Sequence, residues 1–242
     1  MTAQIRDELA PTGVLRTAIN LSNFLLVTDK AADGDPVGVS PDMARAVADR
    51  LGIGVEYLTY ATPGELAAAA VEDVWDIGNI GAEPSRAQTI TFTAAYAEIE
   101  ATYLVPEGSA IQSVDAVDSA GRRIAVYERS AYGLWLCGNA QHAELVRVDG
   151  AQQAFDAFVE QGLDALAGLR PQLIQDVEKL PGARILDGQF TAVRQAIGTK
   201  PARPAAAALL REFVEEAKAS GLVAEFIARH GVEGRLTVAP PA

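Results

Sequence analysis

Residues 75–96 read WDIGNIGAEPSRAQTITFTAAY, and this stretch decides how the fold is interpreted. Asp76 and Ile77 end a short apolar segment typical of a buried strand, and the glycines and Pro84 that follow predict a turn. Arg86 comes next, ahead of a second β-rich run. Open α/β sheets bind ligands beyond the carboxyl ends of their strands, and the arginine fork suits a carboxylate or phosphate. Arg86 is therefore a candidate anion-binding residue, the alternative being a surface arginine in a connecting loop.

The residues before this stretch predict a unit in which strands and helices alternate. Apolar periodicity and breaker residues predict strands over 14–21, 55–60 and 74–77, and helices over 41–51 and 63–71. Ser40 is the predicted N-cap of the first of these helices, and Gly52 ends it. The order βαβαβ requires a parallel sheet with right-handed crossovers.

The pattern continues after residue 102 with different side chains. Strands are predicted over 102–105, 123–126, 144–148, 165–167, 184–187 and 190–197, and helices over 131–140, 151–161, 205–220 and 222–230. Two α/β lobes of similar size follow from this repetition. The tail, residues 236–242, is predicted to be disordered because of its prolines.

Composition excludes several classes of function. The 242 residues carry a net charge of −12 without a Lys/Arg cluster, so no nucleic-acid partner is expected. Cys137 is the single cysteine, which we interpret as a buried, inert thiol, and His142 and His230 lack ligand-like neighbours, so no metal is expected. No window reaches about 18 apolar residues, so no membrane insertion is expected. The amino terminus lacks an export signal, which leaves a cytoplasmic location or a signal that has been removed.

Six short motifs, in this order and spacing, resemble the family 3 solute-binding proteins of ABC transporters, which have the type II periplasmic binding protein fold. They lie at residues 38–44, 50–52, 84–96, 115–126, 162–165 and 218–222. The resemblance covers about residues 13–231. It implies two α/β lobes, each a mostly parallel sheet flanked by helices, joined by a hinge of two crossing strands. Lobe 1 would comprise residues 1–103 and 195–242, and lobe 2 residues 104–194.

The resemblance also implies a ligand-binding site and partners. Arg86 would bind the α-carboxylate of a small ligand, and a helix start in lobe 2 and an aromatic lid would complete the site. The implied site residues, besides Arg86, are Asn79, Gly81, Ala82, Ser130, Ala131, Asn23 and Phe24. Ser130 could instead be a plain N-cap, and Phe24 a core residue. The family implies a monomer without a cofactor, an ABC permease as partner and a periplasmic location once a signal is removed.

Two departures from the family pattern bear on the ligand. Amino-acid binders of the family carry an aspartate a few residues after the position of Asp164, whereas this chain has Ala167-Gly168-Leu169-Arg170. Arg129 also replaces a common glycine. We therefore expect Arg86 and Arg170, with Arg129, to select a small anionic ligand, such as a dicarboxylate or an aromatic or hydroxy acid, and not an ordinary amino acid.

Three functions remain open from the sequence. The first is a binding protein that closes over its ligand and presents it to a transporter. The second is a cytoplasmic lyase on the same fold, of the cyclohexadienyl or chorismate dehydratase type, with Glu98, Glu100 or Glu128 as the candidate acid. The third is a sensory domain of a larger receptor. No hydrolase, kinase or metalloenzyme motif is present.

Overall fold

A computed structural model describes residues 2–242, which divide into two compact units. Unit 1 contains the described residues up to Glu98 and residues Arg194–Ala242, and unit 2 contains Ile99–Val193. In chain order the elements are α1 Ala3–Leu9, β1 Val14–Asn20, β2 Asp29–Lys30, β3 Pro36–Val37, α2 Val39–Leu51, β4 Gly54–Tyr60, α3 Pro63–Ala68, β5 Ile77–Gly81, β6 Thr91–Val105, β7 Arg123–Tyr127, α4 Ala131–Asn139, β8 Glu144–Val148, α5 Ala151–Glu160, β9 Ala165–Leu169, α6 Arg170–Val177, β10 Arg184–Ile185, β11 Thr191–Thr199, α7 Pro204–Ala219, α8 Leu222–Arg229 and β12 Thr237–Val238.

The sheet of unit 1 has the order β4-β1-β5-β11-β6. Strands β4 and β5 both run parallel to β1, with Val14 opposite Gly54 and Thr17 opposite Ile77. Strand β11 returns antiparallel to β5. The predicted parallel βαβαβ arrangement is therefore confirmed for β1, β4 and β5. Because the carboxyl ends of parallel strands meet at one edge of a sheet, the loops after β1 and β5 lie at the same edge.

Strand β5 begins later and extends further than the sequence predicts. The predicted strand ended at Ile77, whereas the strand runs from Ile77 to Gly81 and all five residues are buried. A Cβ at Gly78 would lie 3.2 Å from Leu66 and 3.6 Å from the Trp75 ring. Gly78 thus permits close packing against Trp75, which is fully buried, rather than forming a turn. The turn begins only at Ala82.

Two arginines surround a buried carboxylate at the start of β5. Asp76 has no exposed surface, and its carboxylate accepts hydrogen bonds from the Arg16 backbone N–H at 3.0 Å, Arg16 Nη2 at 2.8 Å and Arg203 Nη1 at 2.7 Å. Asp73 pairs with the same arginines but is 73% exposed. This ionic cluster joins the starts of β1 and β5 to the residue that precedes α7.

Helix α2 begins at Val39, one residue before Ser40, which the sequence predicts as its N-cap. Gly38 is the N-cap, with φ of 153°, and a Cβ there would lie 2.2 Å from the Leu26 carbonyl oxygen. Ser40 lies inside the helix, and its Oγ is 2.9 Å from the Tyr96 hydroxyl oxygen. The prediction of Ser40 as N-cap is therefore wrong, because a close backbone approach at Gly38 sets the helix start.

The sheet of unit 2 has the order β6-β9-β7-β8, with β7 parallel to both β8 and β9. Its core contains a contact of Tyr103 with Phe190, whose ring centroids are 4.5 Å apart, and Trp135 packs on Phe190 from 5.6 Å. The loops that follow β7 and β9 lie at one edge of this sheet, as those after β1 and β5 do in unit 1.

Three further sequence predictions are corrected by the structure. Cys137 is exposed, since it lies on the outer face of α4. The carboxyl-terminal tail is ordered over β12, which pairs with β6 at Ala97 and Glu98. Arg170 begins helix α6, which is not among the helices that the sequence predicts. No helix among residues 2–242 is both long and apolar enough to cross a membrane.

Candidate ligand-binding site

The loop after β5 holds Arg86 in a fixed position. Residues Arg86–Gln88 form a 3-10 turn, in which the Arg86 N–H donates to the Glu83 carbonyl and the Ile90 N–H donates to the Arg86 carbonyl, both at 3.0 Å. The Arg86 side chain turns back, and Nη1 donates to the Gly81 carbonyl oxygen at 2.7 Å. Arg86 is only 5% exposed. A guanidinium held this way presents a positive charge at the carboxyl end of β5.

Glu83 is a second charged group in this loop, which the sequence analysis missed. Its side chain is half-buried, and it lies three residues before Arg86 in the same turn. Burial raises the pKa of the Glu83 carboxyl to about 7, and the nearby charges of Arg86 and Arg194 oppose this shift only in part. The loop therefore carries one cation and one carboxyl that titrates near neutrality.

Three other predicted site residues lie beside Arg86 in β5 and its loop. The Gly81 carbonyl anchors Arg86, and the Ala82 N–H donates to the Arg194 carbonyl at 2.8 Å. Asn79 is 1% exposed, and neither amide atom of its side chain has a partner among residues 2–242. Asn79 thus places an unsatisfied polar group inside unit 1, since it lies opposite Ile19 and Ile197 in the sheet.

Asn23 and Phe24 follow β1, at the same sheet edge as the Arg86 loop. Asn23 is 8% exposed, and its Oδ1 accepts a hydrogen bond from the Leu25 N–H at 3.1 Å. Its carbonyl accepts from the Leu26 and Val27 N–H groups. Asn23 therefore shapes the turn that presents Phe24, which is half-buried.

Ser130 is the N-cap of α4 in unit 2. Its Oγ accepts from the Gly133 N–H at 2.9 Å and donates to the Tyr127 carbonyl at 2.7 Å. Its single hydroxyl hydrogen is therefore committed within the unit. Ala131 begins the helix and is 6% exposed, and α-helix geometry gives its N–H no acceptor inside the helix. Arg129 lies next to Ser130 and is exposed.

Arg170 has a counter-charge that the sequence did not reveal. Its Nε donates to Glu100 Oε2 at 2.5 Å, and its Nη2 donates to the carbonyls of Leu186 and Gly188. The Arg170 side chain is 27% exposed. Within unit 2 it ties the start of α6 to β6 and to the segment before β11, and its charge is balanced by Glu100.

The three acids named as candidate catalysts each pair with an arginine of their own unit. Glu98 lies 3.4 Å from Arg194, and Glu128 lies 3.5 Å from Arg147. Glu100 is the partner of Arg170 described above. Each of these three carboxylates therefore has an arginine partner. Among residues 2–242, no group of three or more His, Cys, Asp or Glu side chains is placed to hold a metal ion.

The structure therefore collects the predicted site residues at one sheet edge in each unit. In unit 1 the edge carries Arg86 with its loop and Asn23 with Phe24, and in unit 2 it carries Ser130 with its neighbours and Arg170. Glu83 could have been noticed in the sequence only as an acid three residues before Arg86. Its burial depends on how the loop folds, which no local pattern reports.

Solved structures with the same fold include several amino-acid-binding proteins. A mutant of ArgBP from T. maritima has a TM-score of 0.72 at 19% identity, covering 95% of this chain and 100% of that chain. The ancestral amino acid-binding protein AncCDT-1, a precursor of cyclohexadienyl dehydratase, has a TM-score of 0.71 at 20% identity, covering 92% of this chain and 97% of that chain. AbpA from Streptococcus pneumoniae, bound to L-arginine, has a TM-score of 0.72 at 19% identity, covering 92% of this chain and 96% of that chain. These likenesses, with the two α/β units, define the type II periplasmic binding protein fold and confirm the predicted fold class.

Sequence comparison then identifies the family. Residues 22–233 match the bacterial extracellular solute-binding proteins, family 3. The chain belongs to this family, as the six motifs predicted. No curated protein sequence matches the chain.

Proposed function

We propose that this chain is the solute-binding component of an ABC transporter and that it binds a small carboxylate-bearing molecule through Arg86. The observation that carries the proposal is the buried Arg86 guanidinium, anchored on the Gly81 carbonyl where β5 ends. A guanidinium forms charge-assisted, bidentate hydrogen bonds with a carboxylate, which are about twice as strong as neutral ones. The helix start at Ser130 and Ala131 is the proposed second ligand-contacting element, through backbone N–H groups rather than the Ser130 hydroxyl.

The ligand proposed here differs from the acidic molecule expected from the sequence. That expectation treated Arg170 as a cation without a counter-charge, but Glu100 lies 2.5 Å from it. The Arg86 loop likewise contains an acid, Glu83. Each sheet edge therefore carries a positive and a negative side chain. This favours a ligand that has both a positively and a negatively charged group. The solved structures of ArgBP and AbpA, which are described as arginine-bound, support including amino acids among the candidates.

The family description supports two further parts of the proposal. Its members are bacterial extracellular proteins, so we propose an exported protein that delivers its ligand to a permease. No cofactor is part of this function, because binding and release need only the protein and its solute.

A thermal-shift screen tests the proposed function. The screen compares amino acids, dicarboxylates, and aromatic and hydroxy acids, using wild type and Arg86→Gln. A ligand at about 100 times its Kd stabilises the native state by about 2.7 kcal/mol, which is roughly 5–10 °C for a chain of this length. We expect at least one carboxylate to shift wild type and not Arg86→Gln. The proposal fails if no carboxylate shifts wild type, or if Arg86→Gln responds equally.

Glu83 also favours a second candidate, a lyase of the dehydratase type. A carboxyl with a pKa of about 7 can donate and accept protons near neutral pH, as general acid–base catalysis requires. Any carboxylate found by the screen should be incubated with the protein and followed by proton NMR. Conversion that Glu83→Gln abolishes would support the lyase. An unchanged spectrum over days supports the binding protein.

A further inference from the structure

Two buried polar side chains in the sheet of unit 1 have no protein partner. The Thr17 hydroxyl in β1 and both amide atoms of Asn79 in β5 form no hydrogen bond among residues 2–242. Thr17 is 0% exposed and Asn79 is 1% exposed, so bulk solvent does not reach either group. A polar group buried without a hydrogen bond is unfavourable, and nearly all such groups in folded proteins are paired with protein or with ordered water.

The side chains of Thr17 and Asn79 lie on the same face of the sheet. Strand residues two apart share a face, and Thr17 is opposite Ile77, which is two residues before Asn79 in β5. Tyr57 is the partner of Thr17 in β4, and its hydroxyl donates to the Pro41 carbonyl of α2 at 3.1 Å. Both orphaned groups therefore point to the side of the sheet that α2 covers.

The geometry of the sheet fits a water molecule between the two side chains. Neighbouring strands are about 4.8 Å apart and each residue rises about 3.3 Å, so the Cα atoms of Thr17 and Asn79 lie roughly 8 Å apart on a diagonal. The two side chains form no direct hydrogen bond, and the residues opposite Asn79 are Ile19 and Ile197, which have no polar side-chain atom. One water bridges polar atoms up to about 5.6 Å apart, at about 2.8 Å to each.

We propose that unit 1 contains an internal water site between Thr17 and Asn79, in which at least one water molecule bridges the threonine hydroxyl and the asparagine amide. Buried waters typically make about three hydrogen bonds to groups that have no other partner. A hydroxyl and an amide together supply the donors and acceptors for this. The proposal gives Asn79 a partner inside unit 1, in place of the ligand contact that the family resemblance implies.

The water site holds the middle of β5 in register with β1. The apolar residues of β5 do not define one face, since Ile77 points to the α2 side and Ile80 packs in the core on the other side. Asp76 fixes only the start of the strand, where its carboxylate accepts a backbone N–H of β1. A slip by one residue would turn Asn79 to the opposite face and away from Thr17. The pair therefore supports the strand that leads to the loop of Arg86.

A high-resolution crystal structure of the wild-type protein tests the proposal directly. We expect electron density for a water molecule within about 2.7–3.2 Å of Thr17 Oγ1 and of one amide atom of Asn79. Density in which protein groups alone satisfy the Asn79 amide would overturn the proposal. A dry space between the two side chains would overturn it as well.

Thermal unfolding of Thr17→Val, Asn79→Leu and the double variant tests the coupling of the two side chains. Each single variant removes one end of the bridge and leaves the other polar group buried, so each should lower Tm by roughly 2–12 °C. The double variant leaves neither group behind, so its Tm should fall by clearly less than the sum of the two single losses. Thr59→Val is the matched control, because Thr59 is exposed on β4, and it should change Tm by at most about 2 °C.

The contrary results are distinct. Losses of Tm that simply add in the double variant would mean that Thr17 and Asn79 have separate surroundings, and the bridge would be refuted. Single variants as stable as Thr59→Val would show that neither polar group has a partner to lose. If a variant does not fold, the electron density of the wild type decides between a bridged and a dry site.

Discussion

Replacing Asp76 with asparagine should destabilise unit 1 strongly, because the Asp76 carboxylate is the fully buried partner of two arginines. Arg16 donates to it through its backbone N–H, Nε and Nη2, and Arg203 donates through Nη1 at 2.7 Å. An asparagine keeps one oxygen but points an NH₂ donor at guanidinium donors. Arg16 and Arg203, which are 14% and 12% exposed, would then lack a buried counter-charge.

The size of this effect follows from the burial. Removing one partner of a buried ion pair costs about 3–5 kcal/mol, because a charge is left uncompensated. For a chain of 242 residues each kcal/mol lowers Tm by about 2–4 °C, so Asp76→Asn should lower Tm by roughly 6–20 °C. Asp73 pairs with the same arginines but is 73% exposed. Exposed pairs contribute about 0–1 kcal/mol, so Asp73→Asn should change Tm by at most a few degrees.

Thermal unfolding followed by circular dichroism and by tryptophan fluorescence measures both variants at pH 7. Trp75 is in unit 1, immediately before Asp76, and Trp135 is in unit 2. A Trp75→Phe background assigns the fluorescence transition to unit 2, and a Trp135→Phe background assigns it to unit 1. If Asp76→Asn and Asp73→Asn lower Tm equally, burial is not what makes the Asp76 cluster important, and the reasoning fails.

Three more predictions concern unit 2. Ser130→Ala should lower the free energy of unfolding by about 0.5–2 kcal/mol and change ligand affinity less than threefold, because the Ser130 hydroxyl caps Gly133; chemical denaturation and calorimetry measure these. Arg170→Gln should lower the free energy of unfolding by about 1 kcal/mol or more, because it removes the hydrogen bond to Glu100. The effects of Arg170→Gln and Glu100→Gln should be non-additive in the double variant, which chemical denaturation in a double-mutant cycle measures. Cys137 should react stoichiometrically with a thiol reagent in the native protein, because its side chain is exposed.

Each of these predictions has a control or a contrary result. Thr62→Ala removes the equivalent N-cap of α3, where Thr62 Oγ1 accepts from Glu65, and should cost a similar stability. A large loss of affinity in Ser130→Ala alone would mean that the hydroxyl contacts the ligand. Additive effects at Arg170 and Glu100 would argue against their ion pair. A Cys137 thiol that reacts only in denaturant would contradict its exposure.

The elements that the sequence predicts well are those with a long, regular pattern. Strand β4 was predicted over residues 55–60 and is observed from Gly54 to Tyr60, and helix α7 was predicted over 205–220 and runs from Pro204 to Ala219. In both, breaker residues bound a clear apolar period. The Arg86 loop was found because an arginine after a strand is a local feature.

The sequence failed where a distant contact decides the outcome. Gly78 indicated a turn, but its packing against Trp75 and Leu66 makes it part of a buried strand. Arg170 and Glu100 are 70 residues apart, so their ion pair has no local signature. The ligand class inferred from Arg170 alone was therefore unsupported once its partner was known.

Arg86 carries the central claim, and one titration tests it most directly. Isothermal titration calorimetry should compare the strongest ligand of the thermal-shift screen on wild type, Arg86→Gln and Arg211→Gln, the last being an exposed arginine on α7. Loss of a buried, charge-assisted contact costs about 2 kcal/mol or more, which is roughly thirtyfold in Kd. We predict at least this weakening for Arg86→Gln and none for Arg211→Gln. Equal affinities for wild type and a folded Arg86→Gln protein would contradict the account.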